Sequence, residues 1–273
     1  MLGLLHLIII AVVQGITEFL PISSSGHLVL VPFLFGYADQ GLLIDLSVHL
    51  GTLFAVLIYF WQDTKGLSIA LFASLGSNKA KVATKDTDYV RLLQILILAS
   101  IPIVIAGYAF VAFGLTDLLR DTTIIAIASI VFGIVLYVAD TYFKQDREMS
   151  GLSFKDGFLI GLSQILALIP GTSRSGITMT AGRALGFSRV ISARFSMLLA
   201  IPTILAAATL GIVELAQHGS QEQITDAVIA GTLAFVTAIG AIHFLMRWLV
   251  NASMTIFVIY RVLLGVGLLI FIS

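Results

Sequence analysis

Two short polar runs carry the residues best suited to chemistry. The first is "PISSSGH", Pro21 to His27, preceded by Gln14 and Glu18. The second is "PGTSRSG", Pro170 to Gly176. Both interrupt apolar sequence, where polar and ionisable groups are expensive and mark function. Gln14 and Glu18 stand four residues apart, so on a helix they share one face and converge just before the first break. Ser24 and His27 follow it. On a helix starting near Ser25, His27 lies in the first turn, beside free backbone N–H groups that favour an anion. The second run repeats the arrangement and adds Arg174, whose guanidinium forks onto phosphate or carboxylate oxygens. Two helix N-termini, the hydroxyls of Ser23, Ser24, Ser25, Thr172 and Ser173, one Arg, one His and one Glu make a site for a strongly anionic, oxygen-rich group. Phosphate or pyrophosphate is the natural ligand.

Several of these residues also suit plainer roles. Ser25, Gly26, Ser175 and Gly176 fit caps and turns at the breaks. Thr172 fits a cap better than a ligand. His49 and Asp45, one turn apart within a span, fit a structural pair. Asp140 and Tyr142, at a span end, fit the membrane interface. Arg261 lies too deep in the last apolar stretch for that, and must pair with a buried carboxylate or reach the anion. Glu18 and Arg174 could simply neutralise each other, which would leave His27 and the serines without a purpose.

The elements that position these residues are membrane helices. The 273 residues are 59% hydrophobic and only 11% charged, with a mean hydropathy of +1.06; soluble domains carry about 25% charged residues. No cysteine is present, which excludes disulfides and thiolate chemistry. The net charge is zero and no basic stripe forms, so nucleic acid is not an expected partner. The apolar N-terminus has no basic leader segment and contains Glu18, so it is not read as a removable signal. Six stretches, roughly 42–61, 92–113, 123–143, 190–213, 227–246 and 254–272, approach the 20 or so apolar residues that a crossing needs. Two more, 2–36 and 157–186, are broken at the polar runs, and their pieces Leu28–Gly36, Phe158–Ile169 and Ile177–Gly186 are too short to span. They read as re-entrant hairpins.

Charge supports this count. Residues 1–64 contain no Lys or Arg. Six spans and two non-crossing hairpins place twelve of the fifteen basic residues on one face, among them Lys65, Lys79, Lys81, Lys85, Arg91, Lys144, Arg147, Lys155, Arg183, Arg189, Arg194 and Arg247. The opposite face keeps Arg120, between Asp117 and Asp121, and an acidic loop with Glu214, Glu222 and Asp226. The basic face is then cytoplasmic and both termini are outside. A shift of 150 residues lays "QGITEFLPISSSG" on "QILALIPGTSRSG", pairing Gln14 with Gln164, Ser23 with Ser173, Ser25 with Ser175 and Gly26 with Gly176. Each copy precedes three spans, and the two face opposite ways. The expected fold is therefore an all-α integral membrane protein of one domain, 1–273. It is an inverted-topology repeat with one half at 1–143 and the other at 157–273.

At "QGITEFLPISSSGH", "PGTSRSG" and, more weakly, "YRV" around Arg261, the chain closely resembles the undecaprenyl-pyrophosphate phosphatases, the bacitracin-resistance family of bacterial inner-membrane proteins. The resemblance covers essentially the whole chain. It implies hydrolysis of undecaprenyl pyrophosphate to the monophosphate at a site open to the periplasm. That reaction recycles the lipid carrier of cell-wall synthesis and confers bacitracin resistance. It places the hydroxyl nucleophile on Ser24, with direct attack by water as the other route, the histidine on His27 and the phosphate-binding arginine on Arg174. Where the family's first motif begins with Glu or Gln, this chain has Gln14, so weight shifts to Glu18. Ser24, His27 and Glu18 are thus the expected catalytic residues, with His27 favoured over Glu18 for moving protons. Arg174, Ser173, Ser23, Ser25, Ser175, Gln14 and Arg261 are the expected phosphate ligands. Glu18 is also the expected holder of a divalent cation, Mg²⁺ or Ca²⁺. The lipid substrate and membrane lipid are the expected partners, and a homodimer is the candidate assembly. A carrier or flippase for an anionic lipid or small anion is the alternative, with Glu18 and His27 coupling protons. A nucleophile at Ser24 separates the two readings, because a carrier needs none.

Overall fold

The computed structural model describes residues 3–36, 40–85, 87–114, 121–218 and 221–271. Arg120 and Asp117 lie outside them, as do the side chains of Glu214 and Glu222. The described residues form twelve α-helices: α1 Leu4–Thr17, α2 Ser24–Phe35, α3 Gly41–Tyr59, α4 Trp61–Ser74, α5 Asn78–Thr84, α6 Tyr89–Ala112, α7 Thr122–Tyr142, α8 Phe154–Ser163, α9 Arg174–Ala184, α10 Arg189–His218, α11 Gln221–Asn251 and α12 Thr255–Phe271. Helices α3, α6, α7, α10 and α11 are long and apolar enough to cross a bilayer. The chain is an all-helical membrane protein. The sixth expected span is α12, whose 17 residues rise about 26 Å, slightly under the hydrocarbon thickness of about 30 Å. Helices α4 and α5 fill the stretch between the first two expected spans.

Local chemistry explains the breaks. After α1 the chain meets Pro21, which removes a helical donor. Ser23 then adopts φ 73°, a left-handed conformation that costs a non-glycine residue roughly 1–2 kcal/mol. Its hydroxyl accepts the Gly26 N–H at 3.3 Å and so caps α2. The second break copies this at the 150-residue offset. The 3₁₀ turn Gln164–Leu168 leads to Pro170, and Gly171 has φ 93°. Ser173 has φ 72°, and its hydroxyl accepts the Gly176 N–H at 3.0 Å. The caps are therefore Ser23 and Ser173, two residues before the expected Ser25 and Ser175. A cap needs the non-helical backbone that only the earlier pair adopts.

Packing interlocks helices from the early and late parts of the chain. Helix α1 packs on α11 and α8 packs on α6, while α3 meets α10 and α7 meets α12. Small residues permit close approach: a Cβ on Gly15 would stand 2.7 Å from the Ala234 carbonyl, and one on Gly161 would stand 2.2 Å from that of Ala99. Ile97, Ile101 and Ile105 on α6 and Ile127, Val131, Ile134 and Val138 on α7 are exposed, the pattern of lipid-facing stripes.

Ion pairs fix the end of α9 away from its tip. Asp140 accepts Arg183 Nε at 3.1 Å, Arg189 Nε at 2.7 Å and the Met254 N–H at 3.0 Å. Arg183 is fully buried and also donates to the carbonyls of Asp140, Phe143, Lys144 and Phe187. Asp140 is thus a buried hub joining α7, α9, α10 and the start of α12, not an interfacial residue. Arg183 is an internal strut rather than a loop charge. Arg194 grips Asp63 through Nε at 3.0 Å, and Arg147 grips Asp156 at 2.7 and 3.1 Å.

Candidate active site

The two tips meet, and Glu18 stands where they do. It is 5% exposed. Its Oε2 accepts Gln14 Nε2 at 2.9 Å and Ser24 Oγ at 2.7 Å, and its Oε1 accepts Arg174 Nη2 at 2.9 Å. Gln14 and Glu18 reach each other along one face of α1, as their spacing requires. Ser24 and Arg174 hold the same position, the first residue after the cap, on α2 and α9. The pseudo-equivalent tips thus deliver a hydroxyl and a guanidinium to opposite oxygens of one carboxylate.

These residues divide into an open face and a scaffold. Ser24, His27 and Arg174 are partly exposed and Ser25 is exposed. Gln14, Ser23, Ser173, Ser175 and Arg261 are buried. Ser23 Oγ lies 3.4 Å from Ser25 Oγ, and Ser173 Oγ lies 3.1 Å from Ser175 Oγ. Ser175 Oγ also donates to the Leu20 carbonyl at 2.9 Å, tying tip to tip. Arg261 neither pairs with a carboxylate nor presents to the open face. It donates to the carbonyls of Gly171 at 2.9 Å, Thr172 at 2.7 Å, Pro21 at 3.4 Å and Ser129 at 3.2 Å. A buried guanidinium with five fixed donors suits this clamp, because the broken helices leave carbonyls unpaired. Thr172 Oγ1 and Gln14 Oε1 are buried without a hydrogen-bond partner among the described residues, so Thr172 does not act as a cap.

His27 is not the partner of Ser24. Its Nδ1 lies 2.7 Å from the Ser23 carbonyl and its Nε2 lies 2.5 Å from the Tyr260 hydroxyl. The acceptor beside Ser24 is Glu18. His49 also departs from expectation. The Asp45 carboxylate accepts Gln40 Nε2 at 2.7 Å instead. His49 Nδ1 bonds the Asp45 backbone carbonyl at 2.6 Å and turns Nε2 toward Glu18 Oε2, 3.7 Å away. Tyr260 is the site neighbour that sequence reasoning missed, and His49 is one it assigned to Asp45 alone. Tyr260 stands next to Arg261 in "YRV", a signal that names no partner, and the spacing of His49 pointed along its own helix.

Among the described residues Arg174 makes one side-chain bond, to Glu18. Its remaining N–H groups, the Ser24 and Ser25 N–H groups at the start of α2 and the Ser25 hydroxyl are donors suited to phosphate oxygens. A hydroxyl bonded to a buried carboxylate, beside a guanidinium, is an arrangement for phosphoryl transfer.

A family model described as "Bacitracin resistance protein BacA" matches residues 7–267. Among curated relatives, an undecaprenyl-diphosphatase of Roseobacter denitrificans is 47% identical over 268 residues, covering 98% of each chain. One of Ruegeria pomeroyi is 46% identical, covering 98% of each. One of Marinobacter nauticus is 42% identical, covering 94% of each. Matched by the family model along nearly its full length, and by these relatives end to end, the chain belongs to the BacA bacitracin-resistance family.

Proposed function

We propose that this chain hydrolyses undecaprenyl pyrophosphate to undecaprenyl phosphate and inorganic phosphate, with Ser24 as nucleophile and Glu18 as its base. The observation that carries the reading is the 2.7 Å bond from Ser24 Oγ to Glu18 Oε2 at the junction of the tips. The terminal phosphate sits between Arg174, Ser25 and the N-terminus of α2, where these donors stabilise charge on the transferring group. Ser24 Oγ attacks the terminal phosphorus and its proton passes to Glu18. A Ser24–phosphorus bond forms, the bridging phosphorus–oxygen bond breaks, and the lipid monophosphate leaves. Water then attacks the phosphoserine, Glu18 manages its proton, and phosphate is released with Ser24 restored. Gln14, Ser23, Ser173, Ser175 and Arg261 act on the phosphate indirectly, by holding the tips.

A divalent cation fits this site only with help from substrate. Glu18 and the unpartnered Oε1 of Gln14 would supply oxygens to Mg²⁺ or Ca²⁺, with pyrophosphate and water completing the shell. No cluster of three or more His, Cys, Asp or Glu side chains suited to a metal occurs among the described residues. Such an ion would neutralise charge on the phosphate oxygens.

The matching left-handed serines, the matching caps and the reciprocal packing of α1 on α11 and α8 on α6 support an inverted repeat. Its halves are 1–143 and 157–273, with six spans and two re-entrant hairpins. The distribution of basic residues supports an orientation in the inner membrane with the termini and the site opening on the periplasmic side. Phosphate release from undecaprenyl pyrophosphate by purified protein in detergent tests the function. Ser24→Ala is expected to abolish turnover while lipid binding persists, and Arg174→Ala to weaken both. Substantial turnover by Ser24→Ala would sink its assignment as nucleophile.

A further inference from the structure

With Glu18 beside Ser24, the paired nitrogens of His27 need another purpose. Nδ1 faces the Ser23 carbonyl at 2.7 Å. A carbonyl only accepts, so Nδ1 carries the hydrogen. In the neutral ring Nε2 is then a bare acceptor, and the Tyr260 hydroxyl 2.5 Å away donates to it. The two rings lie nearly parallel, 8° apart, with centroids at 5.7 Å. Tyr260 comes from α12, 233 residues along the chain.

The bond from Nδ1 lands on a residue that needs support. Ser23 is left-handed, and it directly precedes the nucleophile. Its carbonyl accepts two donors, the His27 backbone N–H at 3.3 Å and the ring N–H. The second tip is braced otherwise. At the position equivalent to His27 stands Ile177, whose backbone N–H meets the Ser173 carbonyl at 2.9 Å. That tip is fastened by Ser175 to the Leu20 carbonyl. Ser25, the counterpart of Ser175, is exposed and makes no such tie. The first tip thus has no reciprocal tie from its own hydroxyl and has the His27–Tyr260 pair in its place. Next to Tyr260, Arg261 clamps the carbonyls of both tips.

We propose that Tyr260 is a positioning residue. Its hydroxyl holds His27 as the neutral Nδ1–H tautomer, and through it the left-handed Ser23 that aims Ser24 at phosphorus. This rests on the reading of Ser24 as nucleophile. His27 is then a brace and carries no proton of the reaction.

The test compares kcat and KM for undecaprenyl pyrophosphate in wild type, Tyr260→Phe, His27→Asn, His27→Ala and the double variant Tyr260→Phe/His27→Asn. Phe keeps the stacked ring and removes the O–H. Asn keeps an N–H donor where Nδ1 stood and removes Nε2. Loss of the Tyr260 bond is expected to lower kcat roughly tenfold with KM unchanged. His27→Asn should retain turnover near the Tyr260→Phe level, His27→Ala should fall well below it, and adding Tyr260→Phe to His27→Asn should cost nothing more. In wild type, ¹⁵N spectra of His27 should show the Nδ1–H tautomer with a hydrogen-bonded Nε2, and in Tyr260→Phe the Nε2 resonance should move to that of an unbonded acceptor. A folded His27→Asn as inactive as His27→Ala would make His27 a proton carrier and overturn the proposal, as would wild-type kcat in Tyr260→Phe. Ser24→Ala runs alongside. Turnover there would refute the nucleophile, while the ¹⁵N tautomer and the dependence of the Nε2 resonance on Tyr260 would still judge the brace.

Discussion

Replacing Glu18 with Gln isolates the charge at the junction of the tips, because the two side chains have the same shape. The carboxylate accepts three bonds, from Gln14 and Ser24 on Oε2 and from Arg174 on Oε1. An amide offers only one oxygen, and its nitrogen donates. With the oxygen at the Oε2 position, Arg174 faces an NH₂ group. With the oxygen at Oε1, Gln14 and Ser24 do. In the first arrangement a donor confronts a donor; in the second Gln14 must flip and Ser24 must accept, and either way Arg174 loses its counter-charge in a site only 4% exposed on the Glu18 side chain. A lost hydrogen bond to a charged group costs roughly 1.5–3 kcal/mol, and breaking a buried ion pair roughly 3–5 kcal/mol. Arg174 keeps 16% side-chain exposure and regains some hydration, so a stability loss of about 3 kcal/mol is expected. The kinetic effect is larger. Removing the group that accepts the Ser24 proton should lower kcat by roughly 10²–10⁴. Single-turnover phosphate release at saturating lipid measures this directly, and the detergent melting midpoint reports stability separately. A Glu18→Gln protein that turns over within tenfold of wild type would refute the assignment of Glu18 as base.

Three further perturbations probe the scaffold. Gly171→Ala places a Cβ 2.4 Å from the Ile125 carbonyl at a residue with φ 93°; strain and overpacking together should cost roughly 2–5 kcal/mol, read as a lowered melting midpoint. A wild-type midpoint would show that the tip accommodates the methyl. Asp140→Ala leaves buried Arg183 without its carboxylate and should destabilise by roughly 3–5 kcal/mol while turnover per folded molecule persists; unchanged melting would refute the hub. Burial alone would raise the Asp156 carboxyl, but Arg147 and the Ser153 hydroxyl and N–H hold it below its ordinary value. Its contribution to stability is therefore complete above about pH 4 and disappears as pH falls through the lowered native value. Asp156→Asn should flatten that acid limb of a melting-versus-pH curve, and an unchanged limb would assign it to other carboxylates.

Sequence alone determined the features that follow from local composition and period. The hydropathy of the spans, the breaks at Pro21–Gly26 and Pro170–Gly176 and the shared face of Gln14 and Glu18 each involve residues within a turn or two of one another. Their backbone preferences and spacing act whatever the rest of the chain does. Tertiary structure alone decided which groups meet. Arg174 finds Glu18 across 156 residues, and Tyr260 finds His27 across 233. No local pattern distinguishes Glu18 from His27 as the neighbour of the Ser24 hydroxyl. Both flank the same break, and only the docking of α1, α2 and α9 turns one toward it. Arg261 was legible as buried, but its partners were not. They are backbone carbonyls, those of Pro21, Gly171 and Thr172 freed by the breaks and that of Ser129 on α7, and every residue type carries a carbonyl. Asp140 and Arg183 read as boundary charges because each sits at an apolar stretch's end. Once α7, α9, α10 and α12 converge there, their ends exclude water, and the charges remain because they pair with each other.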